Sequence, residues 1–203
     1  MVKYRLSMQR SQYEFERAYL FVSRHPFARL ASVYYQKFVQ LKDHKAWAPL
    51  VKSVVKKYRT DKSSGDPSLA SPSEFLSFIV DNLKSAGPEN VDQHWRPQHL
   101  SCPFCSLDFS VYAHMEELSE DSVYFFTKAN LTSMIDPERQ LNRASSKGSR
   151  EVKFWSGIGK DLLGKLETAY LTDLNMFGYN VQEYIDSLDL DIDLGPDDLP
   201  QKQ

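Results

Sequence analysis

At 203 residues, with 41% hydrophobic and 13% aromatic side chains, the chain has enough apolar surface for one globular domain with a real core. Its formal net charge of −2 supplies no global field to draw it onto nucleic acid, and no RNA- or DNA-binding module is recognisable along it, which excludes that class of partner. No run of about 18 apolar residues occurs, and the opening "MVKYRLSMQRSQYEFERAY" is too polar for a signal peptide or an anchor, so a soluble chain is expected.

Residues 1–17 read as an extension ahead of a domain spanning 18–180. "AYLFVS" at 18–23 is short, apolar and aromatic, the signature of a buried strand. The chain turns at Arg24-His25-Pro26, and from there Phe27, Leu30, Ala31, Tyr34, Phe38 and Leu41 recur at helical spacing, with Arg29, Ser32, Gln36 and Gln40 on a separate polar stripe. A strand feeding a helix is predicted, with proline at the first helical position. Residues 52–73 are rich in Lys, Ser, Gly and Pro and read as a basic segment followed by a loop. Ser71-Pro72-Ser73-Glu74 then offers a capping box, with Phe75, Leu76, Ile79 and Leu83 as the buried face of a helix that ends at "SAGPEN".

"VDQHWRPQHLSCPFC" at 91–105 has no usable period and reads as a structured loop. "DFSVY" at 108–112 reads as a second strand, and Ser119 is expected to cap a helix through "EDSVYFFTKA". After a polar, basic loop at 138–153, "FWSGIGKDLLGKLETAYLTDLNMFGY" is mostly helical, weakened by Gly157, Gly159 and Gly164. Residues 181–203, with many aspartates, are expected to form a disordered acidic tail.

The junction at Arg24 carries the chemistry. A helix that follows a strand presents unpaired N–H groups and a partial positive charge at its start, and an arginine there adds a planar cationic fork suited to phosphate. Ser32, about two turns further on, has a hydroxyl to lend to the same anion. An ordinary surface arginine and helix serine fit the same spacing. Four groups, His94, His99, Cys102 and Cys105, fall within twelve positions, which leaves a zinc site, a disulfide or free thiols open. Asn130-Leu131-Thr132 is a glycosylation sequon.

"RHPFARLASVYYQKF" resembles the 3′-phosphate-binding motif of the Golgi carbohydrate sulfotransferases, the chondroitin and dermatan type of glycan enzymes, whose pattern is Arg-Asp-Pro-Phe-x-Arg-Leu-x-Ser-x-Tyr-x-x-Lys-Phe. Arg24, Pro26, Phe27, Arg29, Leu30, Ser32, Tyr34, Lys37 and Phe38 match it, and His25 stands in place of the aspartate. "HWRPQHLSCPFC" at 94–105, "FSVYAHMEELSED" at 109–121 and "YLTDLNMFGY" at 170–179 are similar to three further blocks of that family, in its order. The resemblance implies an α/β fold, a parallel sheet flanked by helices in a P-loop-like arrangement incomplete at the N-terminus. It also implies sulfuryl transfer from 3′-phosphoadenosine 5′-phosphosulfate to a glycan hydroxyl, with Arg24 and Ser32 on the donor's 3′-phosphate and no metal.

The family's 5′-phosphosulfate loop has no match in residues 1–17, so the chain is expected to be a C-terminal portion with little or no activity alone. A catalytically inactive fragment or paralogue that binds nucleotide or glycan weakly is the alternative. A chondroitin-like acceptor and the lumenal side of the Golgi membrane are implied by the same kinship, with membrane attachment through an anchor that is not expected within this sequence. His94 and Glu116 are the candidates for a general base; each is equally readable as a loop histidine or a helix-start carboxylate. Lys52, Lys56, Lys57, Arg59 and Lys62, and Arg143, Lys147, Arg150 and Lys153, are readable either as a surface for an anionic glycan or as solvated faces.

Overall fold

The computed structural model describes residues 19–61, 65–101, 106–131 and 147–190. Strand β1, Leu20–Ser23, pairs in parallel with β2, Val111–His114, in register Leu20 with Val111 through Ser23 with His114. Helices α1 (Pro26–Val33), α2 (Ala48–Tyr58), α3 (Pro72–Ala86), α4 (Leu118–Lys128), α5 (Lys147–Trp155), α6 (Lys160–Phe177) and α7 (Val181–Asp186) complete a helix-rich α/β fold around this small parallel sheet. None of these helices is long and apolar enough to cross a membrane.

The strand-to-helix reading holds, with β1 over Leu20–Ser23, Pro26 opening α1 and its Phe27, Leu30 and Ala31 buried. The apolar period then continues through a π-helical stretch, Tyr34–Gln40, which buries Tyr34 and Phe38. There Tyr34 Oη donates to the buried Ala70 carbonyl at 2.8 Å, and Tyr35 Oη donates to the Arg150 carbonyl at 2.9 Å. Helix α3 carries the predicted capping box: Ser71 Oγ accepts from Glu74 N–H, and Glu74 Oε2 accepts from Ser71 N–H.

Several stretches differ from the sequence reading. The first part of the basic segment is helical, because Val51, Val54 and Val55 follow the i, i+3, i+4 spacing and bury one face of α2 beneath the exposed lysines. Ser119 lies one residue inside α4, whose cap position is Glu117. The end of the stretch read as a basic loop, 147–153, is helical and runs on to Trp155 as α5; Gly157, at φ 84°, takes a conformation that side chains disfavour and separates it from α6, and Gly178, at φ 70°, ends α6 in the left-handed region. Part of the segment assigned to the acidic tail also packs: Val181, Ile185 and Leu188 are buried among the core side chains. Their spacing gives α7 an apolar face despite its acidic neighbours.

Aromatic rings dominate the main core, where Phe27 stacks on Trp155 at 4.8 Å and Phe38 meets Phe75 edge-on at 4.7 Å. A smaller cluster of Phe21, Phe109 and Phe177 packs the sheet against the end of α6. The loop from 91 is structured, as expected. Trp95 is buried, donating from Nε1 to Asn82 Oδ1 at 2.9 Å, and its carbonyl accepts from Tyr170 Oη at 2.6 Å. Asp173 of α6, 1% exposed, accepts from Gln98 N–H, His99 N–H and His99 Nδ1 at 2.6, 2.9 and 2.6 Å. The Gln98 side chain then binds the end of β1, donating to the Val22 carbonyl at 2.7 Å and accepting from Arg24 N–H at 3.3 Å.

Candidate functional site

The turn between β1 and α1 is held from four directions. His25 is the N-cap of α1: its Nδ1 accepts from Phe27 N–H at 3.1 Å, and its Nε2 reaches the Asn180 carbonyl at 3.3 Å. These partners require the neutral ring, protonated on Nε2. Burial lowers its pKa to about 4, against the opposing pull of the Asn180 carbonyl and the Glu116 carboxylate. The imidazole stacks on Tyr184 at 4.3 Å and meets Phe27 and Tyr179 edge-on. Histidine thus does by its ring what aspartate at this position would do by its carboxylate: it accepts a hydrogen bond from the first turn of the helix.

Glu116, just beyond β2, clamps the same turn. Its Oε1 accepts from His25 N–H at 3.2 Å and its Oε2 from Tyr179 Oη at 3.1 Å. Tyr179 Oη also lies 3.1 Å from Ser23 Oγ, which is 3.2 Å from the Ala113 carbonyl, so the clamp is tied to both strands. Burial, with the nearby carboxylate, pushes the Tyr179 hydroxyl well above its ordinary range, so it remains a proton donor.

Around this turn opens a cleft of about 330 Å³, lined by Arg24, His25 and Ala28 from the junction, Met115 and Glu116 after β2, Glu151 of α5, and residues 178–180, 183, 184 and 187 around α7. It lies at the carboxyl ends of the parallel strands, where open α/β sheets place their ligands. Arg24 projects into it, 21% exposed, with Nη2 3.3 Å from Glu151 Oε1. Tyr184 Oη is 3.2 Å from Glu151 Oε2 and 3.1 Å from Trp155 Nε1. The guanidinium thus pairs with Glu151, and two further carboxylates, Glu116 and the exposed Glu183, line the same cleft.

Of the residues singled out from sequence, Arg24 and Glu116 are brought together here. Ser32 is exposed on α1 and does not line the cleft; it sits one turn beyond Ala28, which does. His94 is elsewhere, with Nδ1 2.6 Å from Asp92 Oδ1 and its ring edge-on to Trp47 at 5.3 Å. Cys102 and Cys105 lie outside the described residues, and among the described residues no group of three or more His, Cys, Asp or Glu side chains is placed to hold a metal ion.

Several of the basic residues are already paired. Arg59 forks onto Glu74 at 2.8 and 3.0 Å, and Lys57 pairs with Asp81 at 3.1 Å. Lys52 and Lys56 are exposed on α2, while Lys62 and Arg143 fall outside the described residues. The residues missed from sequence are Glu151, Asn180 and Tyr184. Glu151 sits in a run read as basic loop, and the other two join the site only because α7 folds back over α1. Tyr179, by contrast, lies within the block quoted at 170–179 and was available to a closer reading of it.

Comparison with known proteins follows the same residues. The model of the Sulfotransferase family matches residues 2–180. The chain is similar to carbohydrate sulfotransferase 14 of Danio rerio, 27% identical over 166 residues that cover 79% of this chain and 43% of that protein. It is similar to carbohydrate sulfotransferase 10 of Xenopus laevis, 25% identical over 81% of this chain and 48% of that protein. Carbohydrate sulfotransferase 11 of Rattus norvegicus is 25% identical over 82% of this chain and 48% of its own length. The chain therefore spans less than half the length of these curated relatives. No solved structure matches it significantly. With a family match over residues 2–180 and the strand, arginine and helix standing together at one cleft, the chain belongs to the sulfotransferase family.

Proposed function

We propose that this chain carries the nucleotide end of a carbohydrate sulfotransferase site, serving sulfuryl transfer from 3′-phosphoadenosine 5′-phosphosulfate to a glycan hydroxyl. The observation that carries the reading is Arg24, placed at the cleft mouth where β1 gives way to α1. A guanidinium beside a helix N-terminus is a charge-assisted phosphate contact with two-pronged geometry. Ser32, one turn along the same face from Ala28, adds a hydroxyl further along the bound anion.

Glu116 has both carboxylate oxygens engaged, so its part in this reading is to position the turn that presents Arg24. His94, outside the cleft, is the less suited of the two base candidates. The carbohydrate acceptor follows from the similarity to carbohydrate sulfotransferases. A chondroitin-like chain, a Golgi lumenal setting and membrane attachment belong to the same proposal by kinship.

One observation favours a second reading, weak nucleotide or glycan binding without turnover: Arg24 already has Glu151 for a counter-charge. Calorimetric titration with adenosine 3′,5′-bisphosphate tests the donor site. Arg24→Ala is expected to weaken binding by about ten- to a hundred-fold, the worth of one charge-assisted hydrogen-bond pair. Equal binding by both proteins sinks the assignment. Radiolabelled transfer from the donor to desulfated chondroitin then separates an enzyme from a binding protein.

A further inference from the structure

The guanidinium read above as the phosphate contact already has an anion on it, and that anion is fixed by the fold. Glu151 stands on α5, which packs against α1 through Trp155 on Phe27 and against the following π-helical stretch through Tyr35 Oη on the Arg150 carbonyl. Arg24 and Glu151 are only 21% and 16% exposed, so water and salt screen the pair incompletely. The second oxygen of Glu151 has its own partner in Tyr184 Oη, which is anchored in turn by Trp155 Nε1. Burial, then the Glu151 charge, raises the Tyr184 pKa well beyond its ordinary range, which keeps its proton available to the carboxylate.

We propose that Glu151 is the resident counter-ion of the donor site, competing with the 3′-phosphate for Arg24 and so setting the affinity for 3′-phosphorylated nucleotides. The inference rests on the reading of Arg24 as the phosphate contact. A phosphate that docks on Arg24 meets the Glu151 carboxylate in the same hydrogen-bonding shell, and like charges that close repel strongly in a half-dry cleft. Binding is then an exchange of anions on one guanidinium. Tyr184 makes the exchange feasible, since it holds the displaced carboxylate by its other oxygen. Nothing in the exchange moves the backbone of α5, which stays packed on α1.

The test is a calorimetric comparison of the wild-type chain with Glu151→Gln, Glu151→Ala and Arg24→Ala, each titrated with adenosine 3′,5′-bisphosphate and with adenosine 5′-monophosphate. Glu151→Gln keeps the side chain's shape and removes its charge. It is expected to bind the bisphosphate at least about ten-fold more tightly than wild type, with the monophosphate unchanged. Glu151→Ala, which offers no new amide contact, is expected to change in the same direction.

Bisphosphate binding that is no tighter in either Glu151 variant overturns the inference, as does an equal gain for the monophosphate. In both cases the Arg24 assignment survives if Arg24→Ala still weakens the bisphosphate. Bisphosphate binding untouched by Arg24→Ala, or absent from wild type and both Glu151 variants, removes Arg24 from the donor site and the inference with it.

Discussion

His25 shows how much one substitution at a motif position asks of its surroundings. As an acceptor of the Phe27 N–H it must stay neutral, and burial among Tyr184, Tyr179 and Phe27 keeps it so down to about pH 4. In the unfolded chain the ring titrates near 6.5. Below that pH the unfolded state binds a proton that the native state refuses, so the native state is fully favoured above 6.5 and loses ground as pH falls toward 4. The loss integrates to about 3 kcal/mol. Urea unfolding from pH 7 to pH 4.5 should show this decline in the wild type and a shallower slope in His25→Asn, which keeps a capping oxygen without the titration. A parallel decline in both would remove His25 as its source. The sequence marked Arg24, His25 and Glu116 individually. It gave no sign that His25 and Glu116 touch, because contacts between residues 91 positions apart depend on the packing between them.

Among the elements, α3 was the most legible. Its cap, proline, acidic first turn and apolar spacing all agree locally, and the structure adds only that Glu74 also takes the Arg59 fork. Ser71→Ala should cost about 1 kcal/mol in chemical denaturation, the usual loss for a capping hydroxyl; a change within error would show that the Arg59 contact holds the helix start unaided. Helix α2 was harder to see because its three buried valines are matched by three exposed lysines, and a run of charge hides a three-residue apolar face. The division between α5 and α6 depends on Gly157 taking a positive φ. A glycine in a helical pattern permits a break without requiring one, so only the tertiary fit of Phe154 and Trp155 into the core decides it.

At the scale of the whole molecule, the α/β class was implied by the family resemblance, in keeping with the strand-to-helix reading at Arg24. The closing of the cleft by α5 and α7 was not, since it is decided by where the aromatic core can accept them. Trp155 joins these levels, being fully buried, stacked on Phe27 and hydrogen-bonded to Tyr184 at the cleft wall. Trp155→Ala should therefore cost about 3–5 kcal/mol in stability, measured by urea unfolding, and weaken nucleotide binding in the same protein while it remains folded. Loss of stability with binding unchanged would uncouple the core from the cleft. The parallel pairing of β1 with β2 has a further consequence, for synthesis. Ser23 finds its partner carbonyl 90 positions later, so β1 leaves the ribosome several seconds before β2 exists, at translation rates of roughly 5–20 residues per second. During that interval its edge toward β2 is unpaired and sticky. The nascent chain must keep Phe21 and its neighbours from other strands until β2 is made.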